Sequence, residues 1–181
     1  YDGEAALALL RLYQLDSDLQ LIGVVKRMFE RFISEKYDRY HDHWLSYCTN
    51  ELTKICPDEK YFQFGLNNYL RHLIFIRNRK TTYATLLEMM MAAYQMVIRI
   101  QDLALSSLFE KSQFEDLKKL IEFRTEFQRT GFFYPEVAMY MAQPAKILNA
   151  FYVRHDRFRV RIDDQEHNLS GYIAYIQHFQ N

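Results

Sequence analysis

The side chains of this sequence that are best able to do chemistry lie in short polar segments, and the densest is His41-Asp42-His43. Two imidazoles beside a carboxylate could transfer protons or hold a transition metal. In an extended segment, His41 and His43 would point to the same side. The alternative is that Asp42 caps a following helix and the histidines are ordinary polar neighbours. Trp44, the only tryptophan, could stack on a sugar ring or pack in the core.

A second polar segment, near the C-terminal end, contains Asp163, Asp164, Glu166 and His167. Neighbouring carboxylates can split their pKa values and act as acid and base. One of the two aspartates could instead cap the helix that follows. This segment therefore predicts either an acid–base site or a helix start.

Arginines alternate with apolar residues just before this second segment. Arg157, Arg159 and Arg161 have the period of a β-strand, which would place three guanidinium groups on one face. Such a face could bind a uronate, a phosphate or a carboxylate. The alternative is a solvated edge strand on which the arginines prevent aggregation.

Further candidates are polar or aromatic side chains in unusual positions. Glu4 and Glu88 interrupt apolar helical stretches, and Glu is seldom fully buried without a partner, so each is expected to face a cleft or an arginine. Tyr134 lies in an irregular region that could fold over a cleft. The segments that precede helices supply the remaining candidates: Asp2, Thr82 and Tyr83.

These side chains must be positioned by helices, because Gly (5) and Pro (3) are too scarce for a turn-rich β fold. Apolar periodicity predicts a short helix in the irregular region 130–163, around Ala138–Ala150, and a strand or hairpin near 153–162. The longer predicted helices are Glu4–Leu15, Asp18–Glu35, Asp42–Ile55, Asp58–Ile76, Thr82–Gln101, Gln113–Arg129 and Asp164–Phe179.

An internal repeat relates the first two helical hairpins, since Leu12–Asp18 aligns with Leu52–Asp58, and Asp18 and Asp58 are expected to cap the next helices. The first, third, fifth and seventh helices are apolar nearly all round, whereas the others keep a charged face. Inner and outer helices therefore alternate in an α/α hairpin array. If all inner helices run the same way, the polar segments before them meet at one end.

Composition excludes several classes of function. Lys and Arg (23) balance Asp and Glu (23), which argues against nucleic-acid and membrane partners. The most apolar stretch, Leu86–Ile100, is too short and too interrupted to span a bilayer. Cys48 and Cys56 would lie about 12 Å apart on one helix, which predicts free thiols and favours a cytoplasmic location.

The polar segments resemble those of the six-hairpin (α/α) toroid superfamily, which includes unsaturated glucuronyl hydrolases and N-acylglucosamine epimerases. The resemblance implies a funnel that binds sugars, with acidic and His residues transferring protons. The predicted helices make up about half of a toroid. The chain is therefore expected to be the C-terminal part of a larger toroid and to have the N-terminal part of the same polypeptide as a partner. The segments that carry it are Tyr1-Asp2-Gly3-Glu4-Ala5-Ala6-Leu7, His41-Asp42-His43-Trp44-Leu45, Thr81-Thr82-Tyr83, and Arg161-Ile162-Asp163 leading to His167.

The sequence thus predicts one all-α domain over 1–181 that binds or processes an acidic saccharide or another small anion by general acid–base chemistry, with a hydrolase- or epimerase-like activity, no metal and no cofactor. The alternative is a non-enzymatic helical-repeat module that holds a protein partner; a deep pocket with converging carboxylates would favour the enzyme. The expected catalytic residues are His41, His43, Asp163, Asp164 and His167. The expected substrate-binding residues are Asp2, Glu4, Asp42, Trp44, Thr82, Tyr83, Glu88, Tyr134, Arg159 and Arg161.

Overall fold

The chain folds mostly into α-helices, which confirms the all-α prediction. The structure is a computed structural model that describes residues 1–180; Asn181, the last residue of the predicted domain, lies outside the described residues. Short 3-10 helices cover Tyr37–Tyr40 and Ser106–Leu108. The α-helices are α1 (Asp2–Asp16), α2 (Leu19–Ser34), α3 (His43–Ile55), α4 (Glu59–Leu70), α5 (Leu73–Asn78), α6 (Thr85–Asp102), α7 (Lys111–Arg129), α8 (Pro135–Ala138), α9 (Pro144–Ile147) and α10 (Ile162–Phe179).

Three aspartates set the starts of helices, as their positions in the sequence predict. The carboxylates of Asp18, Asp42 and Asp58 accept hydrogen bonds from the backbone N–H groups two residues further on. Each bond satisfies one of the donors that a helix leaves free at its first turn. The helix α10 differs: it begins at Ile162, so Asp163 and Asp164 lie in its first turn and neither is its cap.

The helices pack in two layers. The helices α1, α3, α6 and α10 form a row in this order, and α2, α4 and α7 pack behind α1, α3 and α6, respectively. The N-terminal halves of the row helices lie at one end: His43 and Glu88 both approach His167, and Gly3 lies against Asp42. This arrangement brings together side chains that are far apart in the sequence.

Burial follows the number of neighbours rather than the predicted alternation. The helices α3 and α6, each flanked on both sides in the row, are buried over most of their length. The helix α4, expected on the outside, is also largely buried because it packs on both α3 and α6. The end helices α1 and α10 bury one side each, contrary to the expectation that all inner helices are buried.

The hydrophobic core has two main parts. One joins α1, α2 and α3 around Phe29 and Phe32, and the other surrounds α6 with side chains of α4 and α7. A smaller cluster around Phe133 and Tyr152 lies under the segment that contains α8 and α9. Among residues 1–180, no helix combines the length and the apolar character needed to cross a lipid bilayer.

Three predicted elements differ in the structure. The short helix expected around Ala138–Ala150 is replaced by two single turns, α8 and α9. The helix expected over Asp58–Ile76 ends at Leu70 and resumes at Leu73, because the chain tightens into a turn at Arg71 and His72. The strand or hairpin expected near 153–162 is reduced to one isolated antiparallel bridge between Val153 and Arg159, and no strand forms there. Arg157 and Phe158 have φ angles of 55° and 59°, and this left-handed backbone prevents an extended strand.

Candidate functional site

A groove runs between α1 and α10, and side chains of α3 and α6 form its floor. Its volume is about 340 Å³. The groove lies at the end where the N-terminal halves of the row helices meet, so its lining comes from four separate parts of the chain. The lining residues are Glu4, Leu7, Ala8, Arg11, Trp44, Tyr47, Glu88, Glu166, His167 and Ser170.

The centre of the groove floor is Glu88, whose carboxylate is buried (2 % exposed) although it belongs to an apolar stretch of α6. Its Oε1 accepts a hydrogen bond from the Tyr47 hydroxyl at 3.0 Å, and its Oε2 lies 2.9 Å from Nδ1 of His167, which donates to it. The Tyr47 hydroxyl also lies 2.6 Å from the Ser170 hydroxyl. These partners compensate the burial of the charge.

The environment of Glu88 changes the acid–base behaviour of two neighbours. The hydrogen bond with the carboxylate raises the pKa of His167, and burial opposes this shift less strongly. Burial raises the pKa of the Tyr47 hydroxyl, and the charge on Glu88 raises it further. The Tyr47 hydroxyl therefore remains protonated and keeps donating to the carboxylate.

His43 lies directly beside this network. Its ring centroid is 5.1 Å from that of His167, and the two rings are nearly perpendicular. Nδ1 of His43 is 3.5 Å from Oδ1 of Asp42, whereas Nε2 is buried and has no hydrogen-bond partner among residues 1–180. Burial lowers the pKa of His43 to about 4, so this imidazole is neutral near pH 7.

The remaining walls of the groove carry charges of both signs. Glu4 and Arg11 come from α1, and Glu166 comes from α10. Arg11 lies 3.9 Å from Glu51 at the side of the groove, and its side chain is 58 % exposed. With Glu88 included, carboxylates outnumber guanidinium groups among the described lining residues, which favours ligands that donate hydrogen bonds.

Comparison of the chain with family models, with curated proteins and with solved structures finds no match. The resemblance to the toroid superfamily therefore stays a prediction.

The structure brings six of the predicted site residues together. Four line the groove, His43 adjoins it, and Asp42 stands behind His43 as the cap of α3. They come from four helices, so no local pattern connects them. The four in the lining are Glu4, Trp44, Glu88 and His167.

His41 lies outside this site, although it was expected to share a side with His43. Its φ angle of 53° turns the chain, so the two side chains diverge. The ring of His41 stacks on His72 with centroids 4.0 Å apart, and its Nδ1 lies 2.9 Å from the backbone oxygen of Asn68.

The residues of the predicted acid–base pair and of the predicted anion site form ion pairs with nearby charges, in part with one another. Arg161 pairs with Asp163, and Arg159 pairs with Asp156 at 2.5 Å and lies 4.0 Å from Asp164. Because these charges are neutralised locally, the structure does not form the predicted arginine face. Burial raises the pKa of Asp164, and the neighbouring charge on Asp163 adds to this shift.

The last four predicted residues are dispersed. Asp2 lies 3.8 Å from Arg31 on the surface, and Tyr83 stacks on His155. Thr82 is buried and donates to the backbone oxygen of Tyr152. Tyr134 lines a separate aromatic cavity of about 280 Å³ near Phe132 and Tyr172.

Three polar groove residues belong to no segment singled out in the sequence: Arg11, Tyr47 and Ser170. Each follows a predicted residue at helical spacing, since Tyr47 is one turn from His43 and Ser170 one turn from His167. Arg11 lies two turns after Glu4 on α1. Extending each candidate along its helix face would have found all three.

Proposed function

We propose that this chain binds a saccharide in the groove between α1 and α10 and processes it by general acid–base chemistry at Glu88 and His167. The observation that carries the proposal is the buried Glu88 carboxylate, which accepts hydrogen bonds from both Tyr47 and His167 on the floor of an open groove. A positioned carboxylate–imidazole pair is a common device for moving a proton to or from a bound hydroxyl.

The groove walls supply features that suit a sugar. Trp44 stands next to His167, with ring centroids 5.7 Å apart, and offers an aromatic surface beside the polar floor. The carboxylates of Glu4 and Glu166 can accept hydrogen bonds from sugar hydroxyls. For an acidic sugar, Arg11 is the guanidinium among the described lining residues that can bind the ligand's carboxylate.

The packing of the helices supports the accompanying proposal that the fold is an α/α hairpin array of the toroid type. The row α1, α3, α6 and α10 and the second layer α2, α4 and α7 are the order that such an array requires. In this view the groove is part of the funnel at the N-terminal end of the inner helices.

Calorimetric titration with neutral and uronic-acid oligosaccharides tests this function. Arg11→Ala is expected to weaken binding of the uronic-acid oligosaccharides about tenfold and to leave neutral ones unchanged. Arg161→Ala, outside the groove, is the matched control and should change neither. Glu88→Gln, which removes the negative charge and keeps the shape of the side chain, is expected to abolish the chemical conversion of an oligosaccharide that the protein binds. Failure of the folded protein to bind any oligosaccharide would remove the proposal.

A second candidate, a protein-interaction module, is favoured by an exposed apolar stripe along α10. Ile162 is 89 % exposed, and Leu169, Ile173 and Ile176 lie at helical spacing on the same helix, each about half exposed. Stripes of this kind are typical of helix–helix docking surfaces. Absence of saccharide binding by the folded protein would favour this candidate.

A further inference from the structure

His43, Glu88 and His167 form a compact group that the hydrogen bonds of the groove do not fully explain. One donor atom of each residue lies within 4.8 Å of the donor atoms of the other two. Glu88 and His167 are bonded to each other, but the buried Nε2 of His43 has no partner among residues 1–180. Leaving a buried nitrogen without a partner costs free energy. The position of His43 in one group with the Glu88 carboxylate therefore suggests that its Nε2 binds something.

The surroundings of the other ring nitrogen of His43, Nδ1, suggest that this function is metal binding. Nδ1 of His43 faces the Asp42 carboxylate at 3.5 Å, and Asp42 is itself held by the backbone N–H of Trp44 at 2.8 Å. Histidines that bind metals usually direct one nitrogen to the ion and the other to a carboxylate or carbonyl, which fixes the ring and its tautomer. His43 is placed for this arrangement: Nδ1 lies near the Asp42 carboxylate, although no hydrogen bond joins them, and Nε2 is the nitrogen left for an ion.

The set of two imidazoles and one carboxylate suits zinc. Zn²⁺ commonly takes two His and one Glu in sites that keep a fourth position open. Tetrahedral zinc ligands lie about 3.4 Å apart. Donor atoms as far apart as 4.8 Å would have to close by about 1.4 Å, whereas Glu88 Oε2 and His167 Nδ1, which are 2.9 Å apart, would separate by about 0.5 Å. Two of the three residues line the groove, so water or a bound ligand can reach the fourth position from there.

We propose that His43, Glu88 and His167 form a Zn²⁺ site with an open coordination position facing the groove, and that Asp42 orients His43 in it. The proposal goes beyond the proposed function: with zinc bound, Glu88 and His167 hold the ion, so the acid–base pair of the proposed function belongs to the metal-free protein. In the zinc-bound protein the ion takes the place of the hydrogen bond between His167 and Glu88.

The test measures Zn²⁺ binding to the whole protein, freed of metal with a chelator, by calorimetry and by the rise in unfolding temperature. Co²⁺ added in place of Zn²⁺ reports tetrahedral coordination through its visible absorption. We expect one ion per chain. His43→Phe, which keeps an aromatic ring in a site where Nε2 has no partner, should fold normally and lose this binding by more than 100-fold.

Two further variants make the test specific. Asp42→Asn keeps a residue that caps helices well and removes the carboxylate behind His43, so zinc binding should weaken about 10–100-fold. His155→Ala, an exposed histidine that stacks on Tyr83, is the matched control and should bind zinc like the unmodified protein. Circular dichroism confirms that each variant keeps its helices.

The outcomes separate this proposal from the saccharide proposal. Absence of stoichiometric zinc binding, unchanged binding in His43→Phe, or equal loss in His155→Ala would each overturn the zinc site. Saccharide binding is titrated independently, on the metal-free protein in the presence of chelator. Zinc bound without any saccharide binding would sustain the metal site and remove the saccharide function, and the reverse result would do the opposite.

Discussion

At the scale of single residues, the histidines show how strongly surroundings decide the role of a side chain. His43 and His41 are two residues apart, yet one adjoins the groove and the other stacks on His72 in a different part of the molecule. His167 is hydrogen-bonded to the Glu88 carboxylate, whereas His43 is largely buried and its Nε2 has no hydrogen-bond partner among residues 1–180. The same residue type therefore has a raised pKa in one place and a lowered pKa in the other.

His72 should make the protein less stable in acid. Burial lowers its pKa in the folded state from 6.5 to about 4, and the neighbouring His41 acts in the same direction. Between these values the unfolded chain binds a proton that the folded protein does not, so stability is fully present above pH 6.5 and falls as the pH decreases to about 4. The ring is packed between His41 and Phe75.

Chemical denaturation at a series of pH values from 7 to 4 measures this effect. His72→Phe is expected to lose less stability over the range than the unmodified protein, and the difference between the two isolates His72 from the other titrating groups. His155→Phe, which changes an exposed histidine, is the control. Identical pH profiles for His72→Phe and the unmodified protein would show that His72 titrates normally in the folded state.

At the scale of helices, Gly65 sets how closely α4 approaches its neighbours. A Cβ atom at this position would lie 2.7 Å from Cγ2 of Thr49 on α3 and 2.8 Å from Sδ of Met96 on α6. Met96 is flexible, but Thr49 is buried and its hydroxyl is bonded to the backbone oxygen of Leu45 at 2.6 Å. The methyl group of Thr49 therefore cannot rotate away without losing this bond.

Gly65→Ala should consequently destabilise the protein by about 1–3 kcal/mol, the usual cost of overpacking a core. Gly23→Ala on α2 is the matched control, because its Cβ would meet only the end of Arg27 at 3.7 Å. There the better helix propensity of Ala should stabilise the protein by about 0.5–1 kcal/mol. Equal effects of the two substitutions on the free energy of unfolding would contradict the tight contact at Gly65.

At the scale of the whole molecule, the two cysteines report on folding. Both are free thiols in the structure, as their spacing predicts. Cys48 is fully buried between the two layers, and burial raises the pKa of its thiol, whereas Cys56 at the end of α3 is partly exposed. A thiolate is the reactive form, so Cys48 should be inert until the fold opens.

Thiol titration should therefore show one rapid phase in the native protein and a second only on denaturation. Cys56→Ser should remove the rapid phase and leave the second, which serves as the control for the assignment. Rapid reaction of two thiols in the native protein would contradict the burial of Cys48. Absence of any reactive thiol after denaturation without reductant would reveal a disulfide.

The sequence by itself determined the features that depend on local interactions. The scarcity of Gly and Pro and the apolar periodicity indicate an all-helical chain, and caps such as Asp18, Asp42 and Asp58 could be located because each bonds to a backbone group two residues away. It also identified Glu88 as a residue needing a partner, because a lone carboxylate in an apolar helix must be compensated.

Only the tertiary structure decided which side chains meet. Tyr47 and Ser170, which are 123 residues apart, share a hydrogen bond, and His167, one of the two partners of Glu88, is 79 residues further along the chain. The predicted arginine strand does not form because the backbone is left-handed at Arg157 and Phe158. Nearby carboxylates then pair with Arg159 and Arg161. Such contacts depend on the packing of whole helices, and no residue type or local spacing specifies that packing.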